Sequence, residues 1–282
     1  MVAISTSNRW IQPYHPVTLL ISFLSIVFIN IFIFYPLVNG LSLILSLALM
    51  VYFKQINRKQ LFSYLFLFIV IAFSNPIFVL KGATVLFYYF GRPYTLEALV
   101  YGVVFASMLV SLLLWGHLFG MVFTSDHIVY LFSKPFSSLG MLVSVVFRLV
   151  PKFKRRFHEV HMYHRKHFSG HPLKQSFDLL MMMFTWAFES SIDMVDSMSA
   201  RGYSTKRSHF HRFFFRKEDG YLIGSMILID SVLLVYHHFV FSEFYYYPQI
   251  KAIVINGGEI FVLVLFVVLC LLPILWIKGG KN

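Results

Sequence analysis

Charge and cysteine are what this sequence has least of. Of its 282 residues only 13% are charged, and one is a cysteine. That lone thiol, Cys270, lies in an apolar run, which excludes an intrachain disulfide framework and a thiolate metal cluster. The shortage of charge accompanies 58% hydrophobic and 19% aromatic residues and a mean hydropathy of +0.73. A soluble domain of this size could not bury so much apolar surface, so the class expected is an integral membrane protein. Acids are scarcer than bases, 12 against 24. In a soluble chain the formal charge of +12 would suggest nucleic acid. Here it reads instead as cytoplasmic loops that obey the positive-inside bias and touch anionic lipid, with no nucleic-acid partner. Two further absences matter. No G-x-x-x-x-G-K-[ST] motif occurs, so nucleotide phosphates are not cradled by that route. The opening MVAISTSNRWIQPYHP has no short apolar core ending in a small-residue cleavage site, so the first apolar stretch reads as a retained span.

Six segments are long enough, or nearly so, to cross a hydrocarbon core of roughly 30 Å: 17–37, 42–53, 61–80, 96–123, 221–241 and 259–277. The second is short because a tight turn is expected at Pro36–Gly40. Arg9 precedes the first span, Lys54, Arg58 and Lys59 follow the second, and Lys278 and Lys281 close the chain. An even span count puts all of these inside, with both termini cytoplasmic; Lys81 and Arg92 fall outside. The expected fold is therefore all-α and polytopic. Its parts are N-terminal transmembrane helices over 1–124, a cytoplasmic coupling-helix region over 125–219 and C-terminal transmembrane helices over 220–282.

The middle region is the unusual one, since 14 of the 24 cations lie between Arg148 and Lys217. Hydrophobic periodicity nevertheless runs through it. The stretch 127–150 is apolar, interrupted at Lys134-Pro135 and ended by Arg148-Leu-Val-Pro151. Pro151 is expected to start a helix with Phe153, Phe157 and Val160 on one stripe and Lys152, Arg155, Glu159 and Lys166 opposite. Gly170-His171-Pro172 breaks it, and another helix runs from about Leu173 to Arg201. Its first half, FDLLMMMFTWAF, is apolar all round and expected to be buried. Its second half sets Glu189, Asp193 and Asp196 on one polar stripe, and Gly202 fits the C′ position that ends helices. These read as membrane-edge helices on the cytoplasmic face.

Three constellations invite chemistry. His158, His161, His164 and His167 recur every third residue, a spacing at which imidazoles could share a metal. Each step, however, falls about 60° short of a full helical turn, so the four cannot converge on one ion, and a polar face is the simpler reading. The Glu189/Asp193/Asp196 stripe could be a paired-carboxylate site. No nucleophile or metal triad accompanies it, so it reads as neutralising the basic helix face or meeting a partner. Arg201 sits at a helix C-terminus, where a cation gains a few tenths of a kcal/mol up to about 1 from the helix dipole. It is also a guanidinium at a slender tip that can enter an acidic groove and bond bidentately. Composition leaves these two readings even.

Ordered motifs run through half the chain: NPIF (75–78), GATVLFYYFGRPYTLEALVYG (82–102), TSDHIVYLFSKP (124–135), SVVFRLVPKF (144–153), TWAFESSIDMVDSMSARGY (185–203) and, more weakly, HPVT (15–18). In these the chain resembles the transmembrane T component (EcfT/CbiQ-like) of energy-coupling factor transporters. The resemblance implies a non-catalytic subunit in the plasma membrane of a prokaryote. It would work with two ABC-type ATPases, which bind ATP and magnesium, and a small membrane S component that binds a vitamin or other micronutrient. No cofactor would be held in this chain. The resemblance also implies that coupling helices end in arginine-centred tripeptides docked on the ATPases. By position Ala200-Arg201-Gly202 is one. Arg165, in Tyr163-His164-Arg165-Lys166-His167, stands where the other belongs but lacks the flanking Ala and Gly. Met181, Met182, Phe184, Trp186 and Phe188 would then pack against the S component, where thioethers tolerate repacking. The competing readings are a T component dedicated to cobalt or nickel, a membrane-embedded enzyme using the histidines and acids of 125–219, and a membrane anchor recruiting an unrelated ATPase.

Overall fold

Helix starts are encoded locally. His15 caps the first helix by accepting the Val17 N–H at Nδ1 (3.4 Å), with Pro16 in the first turn, where its missing N–H costs nothing. Asn57 and Gln60 form a reciprocal capping box, and Thr95 accepts the Ala98 N–H at 3.4 Å. The computed structural model describes residues 15–54, 57–79, 82–89, 92–133, 137–167, 172–202, 213, 215–240, 245–248 and 257–279. Over these residues the elements are α1 (Pro16–Phe32), α2 (Pro36–Tyr52), α3 (Arg58–Phe78), β1 (Val85–Tyr89), β2 (Arg92–Thr95), α4 (Leu96–Val122), α5 (Ser125–Ser133), α6 (Ser137–His167), α7 (Pro172–Ala200), α8 (Lys217–Val240) and α9 (Gly257–Gly279). The chain divides into two units, Met1–Thr124 with Phe213–Asn282, and Ser125–Arg212. Residues 213–219 thus belong with the flanking helices rather than with the central region.

In the first unit α1 packs on α4, α8 and α9, while α2 and α3 both pack on α4. Ile29, Met50, Leu114, Met226, Leu233 and Phe266 are fully buried at its centre. Small and polar side chains lie inside as well: Thr18, Ser22, Ser25, Asn30, Asn39, Ser42 and Ser46. Trp115 donates its indole N–H to Ser42 Oγ at 3.2 Å, joining α4 to α2. Outside, α3 exposes Phe62, Phe66, Ile69, Val70 and Phe73. Small residues where helices meet and bulky apolar ones facing outward suit lipid rather than water. Helices α3, α4 and 217–239 of α8 are long and apolar enough to cross a membrane; 16–32, 36–52 and 257–273 are shorter apolar helices.

Long-range polar bonds close the bundle. Asp219, in the first turn of α8, accepts from Thr18 Oγ1 at 3.2 Å and from the Arg216 N–H at 3.0 Å; the His15 N–H lies at 3.5 Å. Ser25 donates to Asp230, and Tyr35 donates its hydroxyl to Glu259 Oε1 at 2.9 Å. Gly102 has no room for a side chain, since a Cβ there would lie 2.5 Å from the Ala72 carbonyl oxygen.

Several expectations need correction. Pro36 does not begin a turn; it is the first residue of α2, its φ already suited to a helix, so this helix is longer than expected. Pro151 does not start a helix but lies inside α6, which runs on through it. A proline within a helix costs about 3 kcal/mol. The helix nevertheless continues through Pro151, and as an element it packs on α5 and α7. Among the described residues the elements are otherwise helices, in keeping with the all-α class, with one addition. The segment VLFYY pairs antiparallel with RPYT in a hairpin between α3 and α4, its register shifted between Val85 and Phe87.

Candidate functional site

The candidate site belongs to the second unit, where α5 packs on α6 and α6 on α7. Seen along α7, the less exposed positions include Leu179, Met183, Trp186, Ser190, Met194 and Met198, a stripe at i+3 and i+4, with Asp178 and Ala187 beside it. Across the α6–α7 contact, Phe153 and Trp186 place their ring centroids 5.9 Å apart. The rest of the apolar half is uncovered. Met181, Met182, Phe184 and Phe188 are exposed, Phe188 to 69%, and only Leu179 and Met183 are buried. Within the chain itself, then, most of this half is not buried. Among the described residues α6 covers one face of α7, and the apolar side chains on its other faces are exposed.

The far half of α7 carries the acids. Glu189, Asp193 and Asp196 are all exposed, and no described cation forms an ion pair with them. Among the described residues one salt bridge occurs, Arg156 to Glu159 at 3.3 Å within α6. The acids are interleaved with Ile192 and Val195, exposed to 64% and 63%, which sequence reasoning passed over. The signal was present: with Phe188 they continue an apolar edge at i+4 and i+7 beside the carboxylates.

The helix ends as its sequence directs. The Arg201 N–H bonds the Ser197 and Met198 carbonyls at 3.3 and 3.2 Å, and the Gly202 N–H bonds the Ser199 carbonyl at 2.9 Å. Gly202 has φ +68°, the left-handed geometry of a C′ glycine, which a Cβ would oppose. Ala200 and Arg201 are exposed at this tip. Ser199 turns its hydroxyl back to the Asp196 carbonyl at 2.9 Å, spending its polarity within the last turn. The tip thus presents one long cation on a geometrically fixed base.

The last turn of α6 contains Arg165, but its side chain lies outside the described residues, as do those of His164 and His167. His158 and His161 are exposed, and His161 stacks on Phe157 at 6.0 Å. Among the described residues no group of three potential metal ligands is brought together. No protein-family model and no curated protein matches this chain.

Proposed function

We propose that this chain is the membrane-embedded coupling subunit of an ATP-driven uptake system, of the energy-coupling factor type. The observation that carries the reading is α7 itself. One continuous helix has an uncovered apolar half and, at its glycine-capped end, an exposed arginine. An apolar rod face suits a partner in lipid, and an exposed guanidinium suits an acidic groove on a soluble partner. A single rigid helix joining the two surfaces can transmit motion between them. With no P-loop of its own, the chain takes its work from two ABC-type ATPases that bind ATP and magnesium. Their closure displaces Arg201, and α7 passes the displacement to a small S component carrying a vitamin or other micronutrient.

In this reading all six apolar helices cross the plasma membrane of a prokaryote. The 17-residue α1 and α2 meet the lower limit for a span, and both pack within the bundle rather than alone. Six crossings put Lys54, Arg58 and Lys59 on the same, cytoplasmic side as both termini. The chain carries out no catalysis itself.

Affinity purification of the tagged chain tests the proposal. Recovery of P-loop ATPase subunits with a small apolar membrane protein is the expected result. Recovery of the chain alone from intact membranes, or a turnover activity of the isolated chain, overturns it.

A further inference from the structure

Between α3 and α4 lies a hairpin that belongs to neither water nor hydrocarbon. Its first strand exposes four successive apolar or aromatic side chains: Val85 44%, Leu86 52%, Phe87 51% and Tyr88 72%. Phe87 and Tyr88, adjacent in the strand, point to opposite faces, so apolar surface is exposed on both faces of this strand, although Phe87 also stacks on Tyr94. No charged residue lies between Thr84 and Tyr89. Such a ribbon is poorly suited to bulk water, where an isolated two-stranded hairpin is at best marginal. It is equally unsuited to the bilayer core, because open strand edges leave backbone N–H and C=O groups unpaired there. The layer that meets both demands is the interface, where aromatic rings are at home and headgroups and water supply hydrogen bonds.

The hairpin is also held firmly at that level. Glu97, in the first turn of α4, accepts from the Thr84 N–H at 3.1 Å and from Thr84 Oγ1 at 2.9 Å. The Leu96 N–H bonds the Thr84 carbonyl at 3.0 Å, and the Ala83 N–H bonds the Pro248 carbonyl at 3.1 Å. Tyr94 is buried, donates to the Phe73 carbonyl at 3.3 Å and stacks on Phe87 with centroids 4.6 Å apart. The hairpin also packs on α3 through β2, and the last turns of α3 expose Phe73, Ile77 and Phe78, to 57%, 42% and 79%. At about 1.5 Å per residue, the 21-residue α3 matches the hydrocarbon thickness of roughly 30 Å and the 27-residue α4 exceeds it, so a spanning α3 sets the end it shares with α4 near the boundary.

We infer that residues 85–88 are an interfacial anchor, lying in the headgroup layer of the bilayer at the end of the α3–α4 pair and fixing the depth of that pair. The inference rests on α3 and α4 spanning the membrane. It is tested by nitroxide labels on the full chain in phosphatidylethanolamine–phosphatidylglycerol vesicles, with Cys270→Ala as background. Labels go on Leu86→Cys, on Tyr88→Cys as an independent second site, and on Val70→Cys, halfway along α3. The ratio of collisions with oxygen to collisions with a soluble nickel chelate reads depth. Expected is a ratio at 86 and 88 severalfold above that of free label in buffer and severalfold below that at 70. A buffer-like ratio at 86 and 88, with 70 deep, refutes the anchor while leaving the spans intact. Protection from both quenchers at 86 and 88 refutes it in favour of a protein cover. A buffer-like ratio at 70 removes the spans and the anchor with them.

Discussion

Replacing Asp219 with alanine is expected to loosen the whole bundle, although the residue sits at its edge. The carboxylate is buried to within 3% and joins the start of α8 to the start of α1. Its well-formed bonds are those from Thr18 Oγ1 at 3.2 Å and the Arg216 N–H at 3.0 Å; the His15 N–H at 3.5 Å adds little. Hydrogen bonds to a charged acceptor contribute about 1.5–3 kcal/mol each, so the pair is worth about 3–6 kcal/mol. Alanine also relieves the cost of burying the charge, which leaves a net loss of about 3 kcal/mol. For a domain of this size, that is about 6–12 °C in Tm. The chain supplies its own reporter, because Cys270 is its one cysteine and is fully buried in α9. A thiol-reactive fluorogenic dye in detergent micelles reads unfolding as that thiol becomes accessible. Asp219→Asn, which keeps one acceptor, should fall between wild type and alanine. Glu218→Ala removes an exposed first-turn acid and should move Tm by no more than a helix-dipole effect allows, about 0.3–1 kcal/mol. If Asp219→Ala melts within about 1 °C of wild type, or no lower than Glu218→Ala, the reasoning fails.

Other substitutions probe different joints. Gly102→Ala puts a methyl group against the Ala72 carbonyl and should cost about 1–3 kcal/mol by the same thiol assay. Gly120→Ala, where a Cβ meets nothing within 4 Å, should instead be neutral or stabilising by up to about 1 kcal/mol. Gly202→Ala forces a Cβ into left-handed backbone and should fray the last turn of α7 by about 1 kcal/mol; exchange of the Gly202 amide measures it. Arg201→Glu should abolish uptake and reduce co-purified ATPase at least tenfold while membrane insertion is unchanged; undiminished uptake would remove the coupling role. Glu97→Ala should free the hairpin base and raise protease cleavage within 82–95, since Thr84 loses the acceptor for its N–H and hydroxyl.

Each of the six apolar segments forms a helix, because in such a chain hydropathy and helix formation report the same requirement that backbone groups be satisfied internally. The C′ role of Gly202 was legible too, being a local rule. Proline was misread twice, at Pro36 and Pro151, since its effect depends on whether it falls in the first turn or inside a packed helix. The apolar surround of Met181–Phe188 was taken for burial. In a membrane protein, a side chain facing lipid or a partner has the same composition as one in the core, and sequence cannot separate them. The hairpin stayed hidden because its alternation is lost in a uniformly apolar run. Nothing local at His15 or Thr18 announces Asp219, some 200 residues away. For Arg201 the sequence shows a tip and a cation, and the structure adds the backbone geometry that ends the helix there.

The bonds closing the first unit also have a schedule. Thr18 and Ser25 meet Asp219 and Asp230 across separations of 201 and 205 residues. At synthesis rates of about 5–20 residues per second, α1 waits roughly 10–40 s for these partners. Until then its hydroxyls must be served by water, lipid headgroups or the insertion machinery. A chain interrupted anywhere in the basic central region would carry those hydroxyls without their carboxylates. Completion of the polypeptide is thus written into the bundle as a chemical condition, and an unfinished copy differs from a finished one in how firmly its first helix is held.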